Sequence, residues 1–195
     1  MKRISIILIL MLVSAAAHAF EVNYEGLAAK VNSENQLYTK STEQSRALFH
    51  SMKGKAFSWT TATLDIDAND TALAVRNDST TEKLVITKIS IQSSIETVVI
   101  LHFPQVAYTP TGTAVTGVCL NDSSTNIALA TAKADETANT QGSIFRRLET
   151  QANIPVEIST DGIIVLGYQD SIAIDLVADC ADVHATIEGY FDENK

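Results

Sequence analysis

Hydrophobic positions in the last third of the chain fall in short β-branched runs rather than at helical intervals. Residues 163–166 (IIVL) and 172–177 (IAIDLV) are separated by Gly167, Tyr168, Gln169 and Asp170, the spacing of a β-hairpin. In the second run Ile172, Ile174 and Leu176 alternate with Ala173, Asp175 and Val177, so one buried face is expected, with Asp175 on the other. On that register Asp175→Val is expected to be milder than Ile174→Asp, which buries an unpaired charge. A third run occupies residues 184–191.

The same vocabulary recurs upstream. Residues 56–66 around Trp59, 71–76 with Leu73 and Val75, then 84–92, 97–103, 113–120, 143–149 and 155–159 read as strands. Turn residues such as Asn77, Asp78, Ser79 and Thr80 stand between them. The gaps hold no helix long enough for parallel crossovers, so the sheets should be antiparallel. Nine or ten strands over residues 54–195 predict an all-β, two-sheet antiparallel β-sandwich of jelly-roll type. Residues 20–53 are read as an N-terminal arm. Residues 21–40 are polar without a sustained period, and Ser41-Thr42-Glu43-Gln44 has capping-box spacing ahead of Leu48, Phe49, Met52 and Gly54, which fits a short helix, with an irregular strand as the competing reading. Residues 121–142 form a long connection, helix-compatible over 127–135, and long connections on a rigid sandwich often carry binding function.

Composition and the first residues place the domain. Met1-Lys2-Arg3, an apolar segment over 4–13 and Ala17-His18-Ala19 have the three parts of a secretory signal peptide. The apolar segment is shorter than the roughly 20 residues of a membrane span. Residues 1–19 are therefore expected to be cleaved, with secretion to the periplasm or the exterior and no membrane association afterwards. The chain of 195 residues carries a net charge of −9, and loss of Lys2 and Arg3 with the leader takes it to −11. That balance argues against nucleic acid or anionic lipid as a partner. Cys119 and Cys180 are candidates for a disulfide in an oxidising compartment, worth about 4 kcal/mol on the chain-entropy model. The alternative is two buried thiols. Asn69, Asn77 and Asn121 open Asn-x-Ser/Thr triplets, which equally have turn chemistry.

Candidate chemistry is sparse. Asp65, Asp67, Asn69 and Asp70 alternate like the start of a calcium loop, but Asp70 stands where glycine is needed and Arg76 where a bidentate glutamate is needed. Asp179, Cys180, Asp182 and His184 are dense in ligand types yet match no zinc spacing. His102 lies within an apolar strand and reads as a sheet histidine; no serine elbow accompanies it, His50 or His184. The chain thus reads as a non-enzyme with no catalytic residue, metal or cofactor assigned. Trp59, Tyr108 and Tyr168 are the aromatics that could form a sugar platform. Trp59 sits in a strand pattern and reads as core, whereas Tyr108 and Tyr168 fall in loops and are the candidate ligand-binding residues.

The segments NSENQLYTKS (32–41), AFSWTT (56–61), DTALAVRNDS (70–79), PTGTAVTGVCLN (110–121), ADETANTQGSIF (134–145), GIIVLGYQDSIAIDLV (162–177) and IEGYFDE (187–193) resemble a group of virion structural proteins of environmental tailed bacteriophages. The resemblance spans about residues 30–193. It implies a β-rich, often jelly-roll-like, multimeric subunit without catalytic content, and a virion as the alternative location. The chain differs from that group in its leader and in Cys119, where a polar residue is expected, and both differences suit an oxidising compartment. The expected function is an exported structural or assembly protein, a homo-oligomer whose arm contacts a neighbour. The alternative is a secreted module binding a carbohydrate or surface ligand through the 121–142 connection, Tyr108 and Tyr168.

Overall fold

The computed structural model describes the backbone of residues 22–24, 27–31 and 37–41, and residues 45–104, 112–137 and 141–193 in full. The expected leader at 1–19 and Tyr108 lie outside the described residues. The chain divides into two units at Ser45/Arg46. In the first, β1 (Val22–Tyr24), β2 (Leu27–Val31) and β3 (Leu37–Ser41) form an antiparallel sheet in that order, where the sequence suggested an irregular arm.

The second unit opens with the expected helix, α1 (Arg46–Met52), one turn later than the capping-box spacing placed its start. Gly54 ends it in the left-handed region at φ 68, and any Cβ there would stand 2.2 Å from Ser124 Oγ, so glycine is required twice over. Twelve strands follow among the described residues: β4 (Ala56–Thr60), β5 (Leu64–Ile66), β6 (Thr71–Asn77), β7 (Glu82–Ser93), β8 (Thr97–Phe103), β9 (Thr113–Val115), β10 (Val118–Cys119), β11 (Ala130–Glu136), β12 (Ser143–Thr150), β13 (Val156–Leu166), β14 (Ser171–Leu176) and β15 (Cys180–Glu193).

They make two antiparallel sheets packed face to face. The first has the order β10-β4-β15-β7-β13, with β5 beside β15; the second is β12-β8-β14-β6-β11-β9. If β4, β6, β7, β8, β12, β13, β14 and β15 are counted as the first to eighth strands, the sheets read 1-8-3-6 and 2-7-4-5. That is jelly-roll order, as the strand spacing predicted. Strands β9 to β11 are an insertion between the fourth and fifth. One of them, β11, was expected to be helix-compatible loop; it is a strand because it extends the sheet beside β6, a tertiary pairing that outweighs local preference.

The expected hairpin at 163–177 is not one. Strand β13 pairs with β7, whereas β14 pairs with β6 and β8, so the turn at 167–170 carries the chain from one sheet to the other. The two apolar runs face each other across the core instead of lying side by side, and alternation along one strand looks the same in both cases. Ile172, Ile174 and Leu176 do point into the core, with Phe57, Trp59, Leu73, Ile86, Ile89 and Leu101, all at most 2% exposed. Each such side chain contributes about 1.5–3 kcal/mol by burial. Asp175, expected on a solvated face, is 4% exposed, because the outer face of β14 is covered too.

Candidate functional site

The outer face of the second sheet carries a buried polar cluster. Strand β14 lies between β6 and β8, so Ala173 stands opposite Ala74 and His102, and Asp175 opposite Thr71 and Ile100. His102 is fully buried. Its Nδ1 accepts from Gly142 N at 3.2 Å, which assigns the imidazole proton to Nε2. Nε2 lies 2.8 Å from Asp175 Oδ2 but off the ring N–H direction, so this contact is an electrostatic pairing rather than a directed hydrogen bond. Thr71 Oγ1 donates to Asp175 Oδ1 at 2.5 Å, and Gln141 Nε2 approaches Oδ2 at 3.5 Å. Glu136, opposite Thr71 and 1% exposed, accepts from Gly112 N at 2.7 Å.

The end of the insertion is therefore tied to the sheet at Gln141 and Gly142, and Gly112 is tied to β11 within it. Beside Asp175 a cavity of about 140 Å³ is lined by Asn69, Ile100, Gln141, Asp175 and Leu176. The neighbouring Asp70 carboxyl is pushed above its ordinary range by burial, and then by Asp67, Asp135 and Asp175. The hydroxyl of Thr71 bonds the carboxylate, whereas an acyl-transfer triad sets the hydroxyl against the imidazole.

The other candidates are dispersed. Among the described residues no three His, Cys, Asp or Glu side chains converge on a metal position, so neither Asp65, Asp67, Asn69 and Asp70 nor Asp179, Cys180, Asp182 and His184 assemble a site. Asn69 has φ 69 and forms a turn, while His184 Nε2 faces Thr63 Oγ1 at 3.5 Å. Cys119 and Cys180 are both free thiols. Cys119 pairs with Phe57 and Phe57 with Gly189, nine residues along β15 from Cys180. At a strand's rise that is roughly 30 Å, far beyond the reach of a disulfide. Trp59 is core, and Tyr168 is 55% exposed on the inter-sheet turn. Asn77, by contrast, is fully buried, with Nδ2 donating to Glu82 O and Leu166 O, so its triplet serves the fold.

The outer face of the first sheet is covered differently. Ala56, Val85 and Tyr190 form a small apolar cluster against which Ala47 of α1 packs. The His50 ring, 7% exposed, stacks on Tyr190 with centroids 4.4 Å apart and planes 9° from parallel. Its Nε2 is 3.6 Å from Asp192 Oδ1, and Arg46 reaches Asp192 Oδ2 at the same distance. His50 Nδ1 is buried without a hydrogen-bond partner. Burial lowers the imidazole pKa; Asp192 opposes the shift, and Lys55, Lys53 and Arg46 add to it.

Beyond this contact α1 displays apolar side chains. Leu48 is 50% exposed and Met52 63%, with Val118 (63%) and Leu120 (47%) alongside. Hydrogen bonds from Ser51 Oγ to Leu120 O (3.4 Å) and from Asn121 Nδ2 to Met52 O (3.1 Å) join the two segments into one patch. Lys53, next to Met52, is exposed and lies over the Phe49 ring with Nζ 4.1 Å from its centroid. Sequence periodicity placed Leu48 and Met52 on a helix but gave no sign that they would stay exposed.

Strand edges are guarded. Contacts of β5 with β6 and β11 align the β4 side of the first sheet with the β11 side of the second, so β12 and β13 are edges on the same flank. Strand β12 bulges between Ile144 and Arg146, and Arg146 occupies a core-facing register position opposite Leu101 while staying exposed. Strand β13 bulges between Ser159 and Ile164, with Asp161 (φ 48) and Gly162 (φ 72) in the left-handed region. Bulges and inward charges are devices that prevent edge-to-edge pairing. Comparison with protein-family models, with curated proteins and with solved structures finds no match to this chain.

Proposed function

We propose that the protein is a non-enzymatic structural subunit that self-associates through the patch formed by α1 and residues 118–120, within an exported or virion-type assembly. The observation that carries this reading is the apolar patch of Leu48, Met52, Val118 and Leu120, set on a sandwich whose edges are blunted. An apolar patch of this kind marks an interaction surface. Lys53, next to Met52, is exposed, and on a chain with a net charge of −9 the acidic surface of a second copy is complementary to it. The leader and the likeness to virion subunits are consistent with such a role. Light scattering across a concentration series tests it. The purified protein should show a mass that is a multiple of the protomer, and Met52→Lys/Leu120→Lys should return it to a monomer. A wild-type monomer at every concentration contradicts the reading. Polysaccharide binding that Tyr168→Ala removes is the result that would favour a glycan-binding module instead.

A further inference from the structure

We infer that α1 is an acid-released latch, in which protonation of His50 detaches the helix from Tyr190 and swings it about Gly54. The helix is short, seven residues, and it meets the sheet through Ala47 against a cluster of three side chains, the flat stack of His50 on Tyr190, and the approach of Arg46 and His50 to Asp192, each at 3.6 Å. An imidazolium has two N–H donors, and in the docked helix Nδ1 has no acceptor while Asp192 lies 3.6 Å from Nε2, beyond hydrogen-bond reach. Charging the ring in place therefore leaves a buried donor unsatisfied, which costs more than turning the ring out to water.

The surrounding charges do not rescue it. From α1 and its C-terminal turn, Arg46 and Lys53 repel a proton on His50; from the start of β4, so does Lys55. Lys55 is itself engaged by Glu82 of β7 at 2.6 Å and by Glu193 of β15 at 3.4 Å. Asp192 of β15 is the carboxylate that favours the charged ring, and it is shared with Arg46. Tyr190 faces the ring as a neutral phenol whose pKa burial raises further. At the far end, Asn126 Nδ2 donates to Gly54 O at 3.0 Å, which fixes the pivot.

The sign follows from linkage. The docked state holds the imidazole pKa below its ordinary 6.5, so docking is fully favoured above pH 6.5 and weakens as pH falls below it. The undocked population rises by up to about tenfold per pH unit between 6.5 and the lowered value. Hydrogen exchange with mass spectrometry on the full chain, corrected for intrinsic rates, reads this at residues 46–53 between pH 7.5 and 5. Exchange there should accelerate in wild type and lose its pH dependence in His50→Phe, which keeps the stack and cannot take a proton. Unchanged corrected rates in wild type, or the same acceleration in His50→Phe, overturn the latch. An NMR titration of the His50 ring gives an independent reading, and a midpoint above 6.5 overturns it as well. Because α1 also carries the proposed association patch, both readings are taken across a dilution series: a pH response that persists at every concentration supports the latch, and one that vanishes on dilution overturns it and belongs to association.

Discussion

The two outer faces of the sandwich each bury a histidine with one ring nitrogen lacking a directed hydrogen bond, and the remaining contacts of the two rings differ. His102 lies between a carboxylate at 2.8 Å and a backbone amide at 3.2 Å, under an insertion that the same cluster holds down. His50 lies on an aromatic ring with one nitrogen unmatched, under a helix of seven residues whose other side is apolar and exposed. A buried polar group with partners fixes the segment above it, because removing any member strands the others. His50 is held instead by the Tyr190 ring and a carboxylate at 3.6 Å, with no hydrogen bond to its Nδ1, and is the weaker point of the two. The second sheet's outer face is thus the more tightly tied, around the cavity beside Asp175.

Substitutions can break or sharpen that contrast. The largest loss is expected from Ile174→Asp, which buries an unpaired charge in the core and should cost more than about 4 kcal/mol, enough to prevent folding. Asp175→Ala comes next. On a solvated face it would be harmless, but here it removes the carboxylate that accepts from Thr71 and pairs with His102, so chemical denaturation should show a loss of about 3 kcal/mol. A loss below about 1 kcal/mol would mean that the cluster does not hold the insertion. His50→Ala should lower global stability by less than Asp175→Ala and free α1 at every pH, seen as fast exchange of residues 46–53 already at pH 7.5. Met52→Lys/Leu120→Lys should leave the denaturation midpoint nearly unchanged, within about 0.5 kcal/mol, as exposed positions do, while abolishing association.

How far the sequence disclosed this follows from which forces are local. The strands at 71–77, 97–103 and 143–150 were legible because alternation and turn residues are local, and the jelly-roll class followed from their spacing. Which strand pairs with which was not. The runs at 163–166 and 172–177 have the periodicity of a hairpin, yet their burial is satisfied across the core. Asp175 read as solvent-facing because nothing in residues 171–176 signals that Gln141 and Gly142 meet it and His102 there. His50 carried no motif, although a histidine among apolar residues in a short helix was a signal that could have been followed. The exposed state of Leu48 and Met52 depends on what packs over α1, and helical spacing alone says only that they share a face.

Hydrogen exchange on the intact protein at pH 7.5, run at low and at high protein concentration, joins these strands of the account in one measurement. Amides of β8 and β14 should exchange only through global unfolding and at a rate independent of concentration, whereas those of α1 and residues 118–120 should open locally when dilute and become protected as concentration rises. Protection of α1 and residues 118–120 that does not change with concentration would contradict self-association through this face.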